Sequence, residues 1–290
     1  MKQIPKECCG FSPAAVALGL TAAALAESFY GPAGVCPPRS AALLGLAGAA
    51  ALSLAAWLFG FWAALAGLFS GRGPLPRAAG WLFFGWFALE FARTAAAAQT
   101  VCREEFGSNA LIAVLPLLLL VTWRMDAGAL DRSSRALWWL LGVGAAICLF
   151  GLADQMRWQR LFEAGGGAAG WQPVRVFPEY FALPLLCTEQ DVRRSRAALL
   201  PFWVWAVQAG YAFVLALVLG RPQADGYTGL ELLRAWAMGY FSRLDAFLLL
   251  VWLAAALWRL CLLAFVLRRL ARLNGGQKAP AQQPEKGAQR

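Results

Sequence analysis

The sequence predicts an all-α polytopic membrane protein of about eight transmembrane helices, on three observations. Apolar residues fill 60% of the 290 positions, charged residues only 14%, and the mean hydropathy is +0.55. The charges gather between long uncharged runs, as they must in a chain that keeps them out of a bilayer. The basic residues sort to one side when the chain is threaded through the membrane eight times. A net charge of +10 in such a chain reports orientation before it reports a polyanion. No nucleic-acid motif accompanies it, so no nucleic-acid partner is expected.

The chain has no His, which removes the commonest general base and the commonest metal ligand. Its seven Cys (Cys8, Cys9, Cys36, Cys102, Cys148, Cys187 and Cys261) show no CxxC spacing, so neither a zinc site nor a disulfide framework is expected. No catalytic motif is visible, so an enzyme is not expected, and no cofactor. The Cys8–Cys9 pair before the first span could be acylated, or be two juxtamembrane thiols without a role. Lys2 and Lys6 precede the first apolar segment without a small-x-small cleavage site, so no cleavable signal peptide is expected.

Residues 1–11 read as a cytoplasmic N-terminus. Residues 12–30 form a first span, rich in Ala and carrying Gly19, Thr21 and Glu27; small residues let another helix approach, which points to the bundle interior. Pro37 and Pro38 close the following loop. Residues 41–69 are uncharged throughout and longer than a perpendicular crossing needs, so one tilted or protruding span is expected. Residues 78–102 make a third span holding Glu90 and Arg93. Residues 106–123, with Pro116, make a fourth, and 136–153 a fifth.

Residues 154–270 form a shorter second half. Arg157, Arg160, an AGGGAAGW run and Arg175 read as loop, and only residues 180–188 are uncharged before the next charges. Nine residues of helix cover about 14 Å and cannot cross alone. Residues 197–220 form a clear span, 221–242 an amphipathic connection and 244–267 the last span. Residues 271–290 read as a disordered basic tail of Gly, Gln, Pro and charge.

Seven crossings with Lys2 and Lys6 inside would strand the basic tail outside, against the positive-inside rule. A further broken or stretched crossing near 176–188 places sixteen Lys and Arg inside and eight outside, with Arg93 and Arg259 in spans and both termini cytoplasmic. Non-helical backbone at membrane depth is tolerated only where protein or a water-filled cavity surrounds it. The short sixth crossing is therefore a candidate functional element.

Ionisable residues within spans are candidate site residues by default. Glu90 and Arg93, three apart on a helix, share a face and can pair. They read as a ligand or proton-coupling pair, as an ion pair fixing helix packing, or with Arg93 snorkelling to the outer surface. Arg259 lies deep in the last span, too far along it from Asp245 to pair, and must meet a carbonyl, a carboxylate from another helix or a partner subunit. Glu179 is either a ligand-amine acceptor at the short crossing or a solvated loop carboxylate. Gly19 and Thr21 are either helix-packing residues or ligand contacts. Trp near span ends, such as Trp123 and Trp138, suit interfacial anchoring.

The stretch Phe241, Arg243, Leu244, Asp245 and, seven residues later, Trp252 opens an apolar helix, with Leu232 to Arg234 just upstream. In this it resembles a late helix of the permease-like B subunits of spore germinant receptors. The segment EFARTAAAAQTVCREEFGSNALIAVLPLLLLVTW from Glu90 to Trp123 and the layout after Glu179 are also similar to that family. The resemblance covers roughly residues 80–270. It implies an inverted-repeat bundle like that of amino acid/polyamine/organocation permeases, shortened, with 12–153 as the first repeat-like half and two late helices missing. In such bundles half-helix ends and unwound backbone present free N–H and C=O groups to a ligand. Gly19 and Thr21 in the first span, and Glu179, Pro184 and Thr188 in the sixth, occupy the corresponding positions. The implied function is sensing of a small zwitterionic nutrient in the spore inner membrane, with signalling to membrane and lipoprotein-type partner subunits. An amino-acid secondary transporter and a pocketless scaffold are the alternatives.

Overall fold

The computed structural model describes residues 17–23, 26, 39–70, 73–163, 177–186, 197–219, 232 and 244–275. The Cys8–Cys9 pair, Phe241, Arg243, Thr188, most of the 221–242 connection and the tail beyond 275 lie outside these residues. Among the described residues every regular element is helical. After a helical segment at 17–23 come α1 (Arg39–Leu58), α2 (Phe61–Ser70), α3 (Pro74–Phe106), α4 (Ala110–Arg124) and α5 (Ala127–Leu152). Then follow α6 (Trp158–Glu163), α7 (Glu179–Leu186), α8 (Leu200–Leu219) and α9 (Leu244–Asn274).

Three of these helices are long and apolar enough to cross a membrane: Gly128–Gln155, Leu200–Leu219 and Leu248–Asn274. A fourth crossing results if α1 and α2 are one broken span. The protein is accordingly an all-helical membrane protein. The stretch 41–69, expected as one tilted or protruding span, is divided into two helices. Leu46–Leu58 and Phe61–Phe69 are bent by 58°, and the hinge is Gly60, whose φ of 53° is in the left-handed region that glycine enters without a Cβ clash. Gly107, at φ 61°, ends α3 in the same way, its N–H returning to the Arg103 carbonyl at 3.1 Å.

The last helix is the axis. Within α9's apolar window 72% of residues are buried inside the protein, against 22% and 28% for the windows of α5 and α8. It packs most extensively along α3 and also touches α4, α5 and α7. The sequence of α3 explains the long seam. Its buried residues Gly80, Phe87, Thr94 and Val101 recur every seven positions, with Glu90, Ala98 and Cys102 at the intervening threes and fours. That spacing keeps one stripe facing a neighbouring helix over many turns.

The two helices are antiparallel. Gly80, near the start of α3, lies against the Asn274 side chain at the end of α9. Ala98, Val101 and Cys102, near the end of α3, share a buried cluster with Leu248, Leu249, Trp252 and Ala256 near the start of α9. Helix α5 is antiparallel to α9 as well, with Ser133 bonded to Trp258 and Gly144 against Val251. One end of the bundle therefore gathers the start of α3, the end of α4, the start of α5 and the ends of α7 and α9.

That end is the basic one. It carries Arg77, Arg124, Arg132, Arg135, Arg268, Arg269 and Arg272. Two of these also cap helices. The last carbonyls of a helix lack intrahelical donors and are costly to leave bare in an apolar medium. Arg268 donates to the Thr122 and Met125 carbonyls at 2.9 and 2.8 Å and to that of Trp123, closing α4; Arg269 donates to the Leu186 carbonyl at 3.3 Å, closing α7. At the opposite end the Arg157 N–H and the Arg160 guanidinium donate to the Leu217 and Val218 carbonyls, closing α8.

Glycine tolerance should follow these contacts. A Cβ at Gly19 would collide with the Trp258 indole, which is held by its own hydrogen bond to Ser133. Gly142 has open space around it. Gly19→Leu should destabilise the detergent-purified protein by about 1–3 kcal/mol, whereas Gly142→Ala should leave the thermal midpoint unchanged or slightly raised.

Candidate functional site

Helix α7 brings two of the residues singled out by the sequence into the interior. Its eight residues, EYFALPLL, cover about 12 Å, less than half a hydrocarbon layer. Pro184 lies within it, and Arg269 closes its C-terminal end. Its N-terminal end begins at Glu179, beside Arg259, which stands fifteen residues from either end of α9. Since Glu179 meets Arg259 and Leu186 meets Arg269, α7 runs alongside only the basic half of α9.

The Glu179–Arg259 contact is a buried ion pair. Arg259 Nε donates to Glu179 Oε1 at 2.5 Å, and the two residues are 0% and 3% exposed. A carboxylate at the first turn of a helix also meets the positive end of its dipole. The other carboxylate oxygen, Oε2, is buried without a hydrogen-bond partner. Such an orphan acceptor is uncommon, because it forfeits hydration without replacement.

Around the pair the structure is aromatic and close-packed. Phe181 touches the rings of Phe61, Trp62, Phe83 and Trp86, and Tyr180 packs against Trp62 and Phe177. Ala182, Leu183, Leu185 and Leu186 are buried with the segment 20–23 in the main core. The half-length helix is thus held on one side by rings from α2 and α3 and on the other by two arginines of α9.

The sequence singled out both Glu179 and Arg259 but did not join them. The carboxylate from another helix that Arg259 requires is Glu179, eighty residues earlier. Glu179 is not a solvated loop residue. Glu90 is buried on the α3 seam and accepts from Arg93 at 3.2 Å, while the Arg93 side chain remains 67% exposed. Thr21 spends its hydroxyl on the Ala17 carbonyl at 2.8 Å, and Gly19 gives close passage to Trp258. Of the motif residues, Leu244 and Asp245 lie in the first turn of α9, and Trp252 donates its indole N–H to the Ala26 carbonyl at 3.3 Å. Among the described residues the structure therefore brings Glu179 to Arg259 and Glu90 to Arg93, and gives Gly19 and Thr21 packing contacts.

Trp258 and Arg268 escaped the sequence reading. Trp258 could have been found from its place one residue before the intramembrane Arg259. Arg268 read only as a charge closing a span, and nothing local says that it caps a helix some 145 residues earlier. No protein-family model matches the chain, and no curated protein or solved structure matches it.

Removing Arg259 leaves the Glu179 carboxylate buried without its cation, a loss of roughly 3–5 kcal/mol, whereas replacing both by apolar residues is often neutral. Arg259→Met alone should therefore lower stability strongly. Glu179→Leu combined with Arg259→Met should recover most of the loss. A double-mutant cycle of thermal midpoints in detergent checks this; additive losses would mean that the two charges do not interact.

Proposed function

We propose that the chain is a permease-like subunit of the spore germination machinery. In this reading it crosses the spore inner membrane about eight times with both termini cytoplasmic. It senses a small zwitterionic nutrient and passes a conformational signal to membrane and lipoprotein-type partner subunits. Two features support the family part of the reading: the run from Phe241 through Arg243, Leu244 and Asp245 to Trp252, and the charge-sorted helix ends.

The observation that carries the sensing part is the Glu179–Arg259 pair at the head of a half-length helix, with one carboxylate oxygen unpartnered. Charge balance restricts what can open such a pair. A lone cation or a lone anion admitted to the opened pair would add a net charge to a buried site. A molecule with both an ammonium and a carboxylate satisfies both partners and adds no net charge. Its differential affinity for the opened over the closed pair is what would shift the two populations.

A secondary transporter is the second reading, favoured by the additional ion pair Glu90–Arg93 halfway along α3. Uptake of labelled amino acids into proteoliposomes separates the two.

The test of the sensing reading is a thermal-shift screen of the purified protein against neutral amino acids and their amine-only and acid-only analogues. An amino acid at one hundred times its Kd should stabilise by about 2.7 kcal/mol, with neither analogue effective and the effect lost in Glu179→Gln. A spore-former lacking the gene should fail to germinate with that nutrient. No stabilisation by any zwitterion, together with unchanged germination, would sink the sensing reading and leave a scaffold role.

A further inference from the structure

Helix α5 is long and apolar enough to span the membrane, yet only 22% of its apolar window is buried within the protein. Its inward face is spent on the bundle: Leu130, Ser134, Leu137 and Gly144 are buried, the last against Val251 of α9. The outward face is graded. Arg132 and Arg135 come first, Trp139 follows one turn later at 76% exposure, and Leu140, Val143 and Phe150 continue the face, all exposed. Steps of three and four residues keep these side chains on one side of the helix. Arg132 to Trp139 covers about 10 Å of the axis and Trp139 to Phe150 about 16 Å, the latter close to the depth of one leaflet in a hydrocarbon layer of about 30 Å. Arg132 leans back toward the helix start, its Nη1 3.6 Å from where a Cβ on Gly128 would sit. Charge therefore stands outermost, an amphipathic ring next and hydrocarbon last.

The charge at this end is not balanced from within. Its seven arginines meet two carboxylates among the described residues, Asp126 and Asp131, and Asp131 is paired with Arg135. At the opposite end Arg103, Arg157 and Arg160 are matched by Glu104, Glu105 and Asp154. Arg268 and Arg269 are engaged with the carbonyls of α4 and α7. Arg124 and Arg132 are exposed and form no ion pair among the described residues. The positive end of the α5 dipole lies at the same level, and the side chain of Asp126 makes no capping bond there. An anion arriving at this face lowers the excess charge.

We infer that the outward face of α5 is a binding site for an anionic phospholipid of the leaflet at the basic end. Arg132, with Arg124 from the end of α4, takes the headgroup phosphate; Trp139 sits at the interface, and Leu140 and Val143 lie along the acyl chains. A zwitterionic phospholipid has the same chains but brings no net charge to offset the arginines. An acidic soluble protein would cover the arginines and leave Trp139, Leu140 and Val143 without a partner at hydrocarbon depth. The inference rests on α5 being a span and not on the germination reading, so a failed nutrient screen leaves it standing.

The test places the full chain in phosphatidylcholine vesicles with a small fraction of lipid brominated on its acyl chains, either phosphatidylglycerol or phosphatidylcholine. Bromine quenches tryptophan on contact, and the difference between the unaltered chain and Trp139→Phe isolates the share due to Trp139. At low salt brominated phosphatidylglycerol should be preferred at this position by about tenfold, as one to two arginines at about fivefold each would give. Arg132→Gln should lower the preference about fivefold, Arg132→Lys should retain it, and Arg103→Gln at the opposite end should leave it unchanged. Thermal midpoints check that the variants fold; if Arg132→Gln does not, Arg124→Gln takes its place. Equal quenching by the two lipids would overturn the proposal, as would a preference that neither Arg132→Gln nor Arg124→Gln reduces. A preference abolished by sodium phosphate but not by sodium chloride of the same ionic strength would assign the arginines to free phosphate and overturn it too.

Discussion

A charge in the middle of an apolar helix has to be compensated within the protein, and in this molecule Arg259 sets that requirement. A guanidinium halfway along α9 can neither reach water at either end nor remain unpaired at the low dielectric of the interior. Its partner, Glu179, has to come from a helix that begins at mid-depth. Three features go with that demand: α9 is the most enclosed of the apolar helices, α7 runs beside only half of it, and the aromatic side chains of α2 and α3 close over α7. Each helps to exclude water from the pair.

The second constraint is the cost of bare helix ends. Three helices whose C-terminal carbonyls lie within the bundle receive arginine donors from elsewhere in the chain: α4 from Arg268, α7 from Arg269 and α8 from Arg160. Positive charge suits those ends electrostatically, since the helix dipole leaves them partly negative. These arginines thus also fasten the helices to each other. Arg268 is further steadied over the Phe265 ring, 4.7 Å from its centroid.

Much of this was legible from the amino acids alone, and the rest was not for identifiable reasons. The long uncharged run before and after Arg259 marks α9, and its isolated charge says that a partner exists. The identity of the partner depends on which helices touch, and a separation of eighty residues leaves no local trace of that. The break at Gly60 was overlooked because glycine is common in membrane helices and only its positive φ distinguishes a hinge. Helix α5 starts nine residues before the apolar stretch that defined the fifth span. Its first turns are amphipathic, with Asp131 paired to Arg135 at 2.8 Å, and hydropathy does not count such turns. At Gly19 the small side chain was informative, but its meaning, passage for Trp258, came from a residue far along the chain.

The charge-sorted bundle around α9 is tested most directly by mapping which of its ends faces which compartment. Single thiols at Asp126 and Gly275, on the basic end, and at Ser108 and Asp154, on the other, would be treated in intact cells with a membrane-impermeant maleimide in an otherwise Cys-free chain. Labelling of 108 and 154 with protection of 126 and 275 until the membrane is permeabilised is the result this arrangement predicts. Labelling of 275 together with 108 would contradict it, because α9 could then not run antiparallel to α3 through the membrane with Arg259 and Glu179 at its middle.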